Sequence, residues 1–165
     1  MATIKQALEQ LHSDPIYNEW SNSNPESYLC HCLRLMGEED QWLFGFSNSD
    51  DTMTTFSVSP TAISKEKSDE VFKKPETKIL PVDMNLVSIS EQDALNIASE
   101  FIKEQYPRDL PSKNIIILQN LDVGQVYNIT FITMAMSTLN LKICTKTGKI
   151  ISHKKTSLMD FNAEK

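Results

Sequence analysis

The sequence predicts an α+β protein built from two tandem units, each an amphipathic helix packed on a three- to four-stranded antiparallel sheet. Three observations lead to this prediction. Both halves of the 165-residue chain begin with a helical pattern and continue with short strands of alternating hydrophobicity. A single shift of 85 residues also places Trp42 on Tyr127 and Phe56 on Leu141, which indicates an internal repeat.

The first half opens with a helix and continues as a three-stranded meander. Thr3 and Gln6 have the spacing of a capping box, and the apolar residues that follow fall on one helical face. Asp14 and Pro15 either restart the helix or kink the chain, because Asp suits an N-cap and Pro suits the first helical position, and we expect a short second turn through Trp20. Strands are predicted at 28–36, 41–46 and 54–59, separated by polar turns.

The second half repeats this order. Ser90, with Asp93 three residues later, is predicted to cap a helix that Pro107 ends. Strands are predicted at 114–121, 125–133, 139–143 and 150–153. We therefore divide the chain into a first unit at 1–65, a partly ordered linker at 66–88 and a second unit at 89–165. A lone unit of this size has a thin core, so the two could share one by packing side by side or by joining their sheets.

Three segments of the second half form a further pattern: the helix start SEQDALNIA at 90–98, the strand YNI at 127–129, and the strand and turn LKICTKTGKI at 141–150. Together they resemble the PepSY domain over residues 88–153, with a degenerate copy at 1–65. Cys144 stands where that family often has an acidic residue. The resemblance implies a non-catalytic module, often attached to peptidases as a propeptide or inhibitor. The wider cystatin-like shape, a helix wrapped by a sheet, is also compatible.

Composition narrows the functional classes. The net charge is −6 and the pI is about 5.1, which argues against nucleic acid or an anionic membrane as a partner. The longest aliphatic run, 115–118, is far shorter than a membrane span of about 20 residues. The first residues lack the apolar core of a signal peptide, so we expect a cytoplasmic protein, although a trimmed sequence could have lost such a segment.

The three cysteines, Cys30, Cys32 and Cys144, do not form a disulfide framework. On a strand, Cys30 and Cys32 share one face and His31 points away, so these residues do not make a zinc set. The 85-residue shift aligns the two cysteines with Ile115 and Ile117, which predicts that both thiols are buried in the core. No phosphate-binding loop or nucleophile motif is evident, so we expect no metal, no cofactor and no enzymatic activity.

The negative charge is concentrated at the start of the chain. Residues 1–65 hold nine acidic and three basic residues, whereas residues 66–165 hold thirteen of each. The candidate partner-binding residues are the acids of two strand-connecting turns, together with a tryptophan beside a polar loop: Glu38, Glu39, Asp40, Asp50, Asp51 and Trp20. Because successive turns of a meander lie at opposite ends of its sheet, we expect two separate acidic patches.

The function that follows is binding or inhibition of another protein, for which a peptidase is one candidate. Two alternatives are kept. The acidic half suits an immunity-type inhibitor of a basic enzyme. A cavity between helix and sheet would instead suit a carrier of a small ligand.

Overall fold

The computed structural model describes residues 2–35, 40–66, 69–70 and 78–159. Within these ranges the helices are α1 (Ile4–His12), α2 (Pro15–Ser23) and α3 (Glu91–Gln105). The strands are β1 (Tyr28–Leu35), β2 (Trp42–Ser47), β3 (Thr52–Val58), β4 (Ile63–Lys65), β5 (Asp69–Glu70), β6 (Pro111–Leu121), β7 (Gly124–Thr133), β8 (Ser137–Cys144) and β9 (Ile150–Ser157). A 3₁₀ turn at Met84–Leu86 precedes α3.

The nine described strands form one antiparallel sheet in the order β4-β3-β2-β1-β6-β7-β8-β9, with β5 added beside β3. The predicted pair of tandem helix-on-sheet units is therefore wrong. β1, the first strand of the first half, pairs with β6, the first strand of the second half. In this pairing Cys32 lies opposite Leu118, and Leu33 lies opposite Ile117. This pairing satisfies backbone groups that two separate sheets would expose at their edges.

A single hydrophobic core lies on one face of this sheet. Leu11 of α1, Trp20 of α2 and Ala98 of α3 all belong to it, together with Phe44 on β2 and Leu141 on β8. All three helices thus pack on the same side. In the described part of the chain no helix covers the opposite face, which we call the open face.

The predicted helix starts are confirmed. Thr3 and Gln6 form a capping box at α1, and Ser90 and Asp93 form one at α3. Asp14 caps α2 through the N–H of Ile16, with Pro15 at the first helical position. Each side chain satisfies a backbone donor that the helix itself leaves unpaired.

The end of the predicted linker lies against the sheet. The Val82 N–H donates to the Leu29 carbonyl at 2.8 Å, and the Asn120 amide donates to the Pro81 carbonyl at 3.1 Å. The Tyr28 hydroxyl donates to the Ile79 carbonyl at 2.6 Å. These bonds hold residues 79–82 across the end of β1 and β6.

Cys30 and Cys32 are buried, as predicted, but their alignment with Ile115 and Ile117 is wrong. In β6 the core positions are Ile116 and Leu118, whereas Ile115 and Ile117 are half-buried on the open face. A shift of one residue in a strand moves every side chain to the other face. A β-bulge between Leu29 and His31 adds to the irregularity of β1.

Candidate functional site: the open face of the sheet

The open face has an aliphatic centre at the β1–β6 junction. One row of paired residues crosses the sheet there: Leu43 on β2, Leu33 on β1 and Ile117 on β6. These three side chains are half-buried, as is Ile115, and Leu35 is 52% exposed. We call these five residues the aliphatic patch. In an antiparallel sheet with one solvated face, the residues on that face are ordinarily polar, so an aliphatic patch is unusual at this position.

Polar residues flank the patch. The same row continues from Leu43 to Ser57 on one side, and from Ile117 to Asn128, Lys142 and Ser152 on the other. An apolar centre with a polar rim is the anatomy of many protein–protein interfaces.

Hydrogen bonds fix the polar side chains of β7 and β8. The Asn140 amide donates to Asn128 Oδ1 at 2.6 Å and to Thr130 Oγ1 at 3.0 Å. The Lys142 ammonium donates to Asn140 Oδ1 at 3.2 Å. These bonds pre-orient the side chains, which lowers the entropy lost when a partner binds.

The open face of β6–β9 is basic. These four strands contain four lysines and no aspartate or glutamate. By register, Lys113, Lys142 and Lys154 lie on the open face. Lys155 lies on the helix side, where its ammonium is 2.8 Å from a carboxylate oxygen of the buried Asp109.

A pocket of about 360 Å³ adjoins this basic surface. Its wall combines the apolar side chains of Leu80 and Val123 with Lys78 and Lys142, and Asp122 is its one acidic lining residue among those described. The segment at 79–82, which accepts hydrogen bonds from Tyr28 and Asn120, forms one side. The pocket is open to solvent and pairs apolar surface with ammonium groups.

His31 occupies the open face beside the patch. Its ring lies directly over Gly45, the residue paired with it on β2, where a Cβ atom would collide with the imidazole. Burial lowers the pKa of His31 and raises that of Cys30 to about 11. The Cys30 sulfur lies 3.7 Å from His31 Nδ1, but these shifts favour a neutral thiol beside a neutral imidazole.

A second polar cluster lies on the helix side and has a structural explanation. The buried Glu91 carboxylate accepts the N–H of Ile4 at 3.0 Å, which links the N-termini of α3 and α1. The Tyr127 hydroxyl donates to the Ile89 carbonyl at 2.7 Å, and the Arg34 guanidinium lies 4.8 Å from the centre of the Trp42 ring. A pocket of about 240 Å³ opens beside this cluster, between the starts of α1 and α3.

Trp20 is not the exposed anchor that the sequence suggested. Its side chain is only 8% exposed and packs against Phe46 and Phe56, each with ring centroids 5.2 Å away. Tyr17 completes this aromatic cluster under α2. The sequence suggested exposure because a polar loop follows Trp20, but Trp20 lies on the buried side of α2.

The described acidic candidates are exposed, but the structure does not bring them together. Asp40 precedes β2, whereas Asp50 and Asp51 follow it at the opposite end of the strand. Asp50 accepts bonds from the Thr52 hydroxyl and N–H, which lower its pKa. Glu38 and Glu39 lie outside the described residues.

Sequence reasoning missed the basic open face because it counted charge along the chain. Residues 66–165 sum to zero, but four acids of that half, Glu91, Asp93, Glu100 and Glu104, lie on α3. The absence of any acid within the four predicted strands was the signal that could have revealed the surface.

Among the described residues, no group of three or more His, Cys, Asp or Glu side chains could hold a metal ion. None of the helices in those same ranges is long and apolar enough to cross a membrane.

The comparisons with known proteins bear on the fold alone. No protein-family model matches the chain, and no curated protein matches it. The solved structures include a similar chain from Clostridium difficile 630, described as a candidate lipoprotein, with a TM-score of 0.56 and 15% identity. The match covers 87% of this chain and 91% of that one. At this identity the likeness shows a shared fold.

Proposed function

We propose that this protein is a non-catalytic protein-binding module and that its open face is the binding surface. The observation that carries the proposal is the aliphatic patch, placed where all three helices leave the sheet uncovered. The expected occupant is a protein whose apolar ridge covers Leu33, Leu43 and Ile117, and whose charged groups complement the lysines beside them. A role in regulating a peptidase follows from the PepSY resemblance and is part of the proposal.

Several contacts support binding rather than catalysis at this face. The hydrogen-bonded ladder of Asn128, Asn140 and Lys142 is preformed, as in interfaces that change little on association. Burial raises the pKa of the Cys30 thiol to about 11, so this thiol beside His31 is a poor nucleophile.

The alternative, an acidic inhibitor of a basic enzyme, is favoured by the exposure of Asp40, Asp50 and Asp51. These residues lie at opposite ends of β2, a six-residue strand, which spans about 20 Å at about 3.4 Å per residue. That separation exceeds the Debye length of about 8 Å at physiological salt. A basic enzyme would therefore meet two weak patches rather than one focused site.

Site-specific photo-crosslinking in the source organism tests the proposal. A photoreactive amino acid replaces Ile117 on the open face or, as the control, the exposed Gln92 on α3. We expect one polypeptide to be captured from position 117 and not from position 92.

That polypeptide is then purified and titrated against the wild-type protein and a Leu33→Glu variant. A charge buried against an apolar ridge should weaken binding about tenfold or more. Equal capture from both positions, or equal affinity of the two proteins, would show that the open face is not the binding surface.

A further inference from the structure

The charges of the second half are segregated between its two faces. Between residues 106 and 157 there are seven lysines and arginines but only two acids, Asp109 and Asp122. Asp109 is buried and forms an ion pair with Lys155 on the helix side. The acids of α3 lie on the helix side as well. Asp122 borders the pocket that Lys142 lines, but the open face of β6–β9 also carries Lys113 and Lys154. This face therefore has a net positive charge on a protein whose net charge is −6.

Two of the lysines form a close pair. Lys142 on β8 lies opposite Ser152, and Lys154 stands two residues further along β9, opposite Asn140. Such diagonal neighbours lie about 7–8 Å apart, and their Cβ atoms are somewhat closer than that. No carboxylate of the described residues forms an ion pair with Lys113, Lys142 or Lys154. The Lys142 ammonium donates to Asn140 Oδ1 and has two further N–H groups for a partner.

The apolar surface next to this lysine pair favours anions that also carry apolar groups. Lys142 also lines the pocket that Leu80 and Val123 border. A bare phosphate or a fully charged chain would leave those side chains exposed. A polypeptide that turns both carboxylates and aliphatic side chains towards the sheet satisfies both parts of the surface at once.

We infer that the open face of β6–β9 docks an acidic segment of the partner protein, with its carboxylates on Lys142 and Lys154 and an aliphatic side chain in the adjoining pocket. This inference rests on the proposed function and specifies the partner's chemistry. A second copy of this chain is a poor occupant, because placing two open faces together would bring the lysines of both surfaces close to each other. A long polyanion that extended beyond β6–β9 would also meet the net negative charge of residues 1–65.

Fluorescence anisotropy with a labelled synthetic peptide tests the inference. The probe, called the Glu–Val peptide, repeats Glu-Ser-Val-Ser over about twelve residues, so that an extended chain turns both Glu and Val to one face. Its length exceeds the eight residues of β9 at about 3.4 Å each. A Gln–Val peptide is its uncharged counterpart. The intact protein should bind the Glu–Val peptide roughly tenfold more tightly than the Gln–Val peptide, and added salt should reduce the difference.

A Lys142→Glu, Lys154→Glu variant provides the decisive comparison. Both side chains lie on the sheet surface, and far-ultraviolet circular dichroism checks that the fold is retained. Its affinity for the Glu–Val peptide should fall at least about tenfold. The matched control, Lys103→Glu, Lys149→Glu, makes the same change of net charge on α3 and in the turn at 145–149, outside the strands, and should change the affinity less than about twofold.

Equal losses in the two variants would overturn the inference, as would equal binding of both peptides or no binding of either. Binding to phosphatidylglycerol vesicles or to a single-stranded oligonucleotide in preference to the Glu–Val peptide would also overturn it. These outcomes leave the proposed function standing if the crosslinked partner still requires Leu33. If no polypeptide were captured from position 117, the proposed function itself would be wrong.

Discussion

At the scale of single residues, the three cysteines differ because their surroundings differ. Burial raises the pKa of both Cys30 and Cys32. Cys144 lies beside the turn at 145–149, where a hydrogen bond from the Thr147 side chain holds its pKa below the ordinary value. The thiolate is the reactive form, so Cys144 has the advantage in both exposure and ionisation.

We predict that iodoacetamide labels Cys144 well before the other two thiols in the native protein. Because the pKa of Cys144 is lowered, its labelling rate should level off at a lower pH than that of the urea-unfolded chain. Mass spectrometry of quenched time points measures both. A Cys144→Ser variant should lose the fast phase entirely, and rapid native labelling of Cys30 or Cys32 in that variant would contradict their burial.

At the scale of elements, the contact between His31 and Gly45 shows how β1 and β2 fit each other. The imidazole covers the position where any other residue would place its Cβ atom. We predict that Gly45→Ala destabilises the fold by about 1–3 kcal/mol, because the ring must leave a packed position. Urea unfolding measures the loss.

The His31→Ala background separates this contact from other effects of the mutation. Without the ring, Gly45→Ala should cost much less, with a coupling energy of about 0.5–3 kcal/mol between the two positions. An equal cost in both backgrounds would mean that the strand rejects alanine for a reason unrelated to His31.

Most elements were predictable, because local patterns determine them. Capping residues identified α1 and α3, and alternation identified β2, β3, β7 and β8. The short β4 and β5 were not predicted, since strands of three and two residues carry too little pattern. The exact face of β6 was also missed: four consecutive aliphatic residues at 115–118 are compatible with either face, and only the pairing with β1 decides which side is buried.

The candidate site was less predictable than the fold. The open face combines residues from β1, β2, β6, β7, β8 and β9, so it exists only once the strand order is known. The sequence placed Leu33 and Ile117 in strands, but their meeting depends on the β1–β6 pairing. The acidic turns are local features, which is why they were found first.

At the scale of the whole molecule, that same pairing makes the two halves interdependent. Core residues of β1 and β6 face each other across it, as Cys32 and Leu118 do. The Glu91 carboxylate adds a second link by accepting the Ile4 N–H across the helix side. Separating the halves would expose both central strands and remove this bond, so each half depends on the other for a complete core.

We therefore predict one cooperative unfolding transition for the whole chain. Leu11 of α1 and Leu141 of β8 are both fully buried, one in each half. Leu11→Ala and Leu141→Ala should each lower the free energy of unfolding by about 2–5 kcal/mol. Each should shift the same single transition, seen both in tryptophan fluorescence, which reports on the first half, and in far-ultraviolet circular dichroism, which reports on both. If Leu141→Ala shifted the circular dichroism curve and left the fluorescence curve unchanged, the halves would be folding as separate units despite their shared sheet.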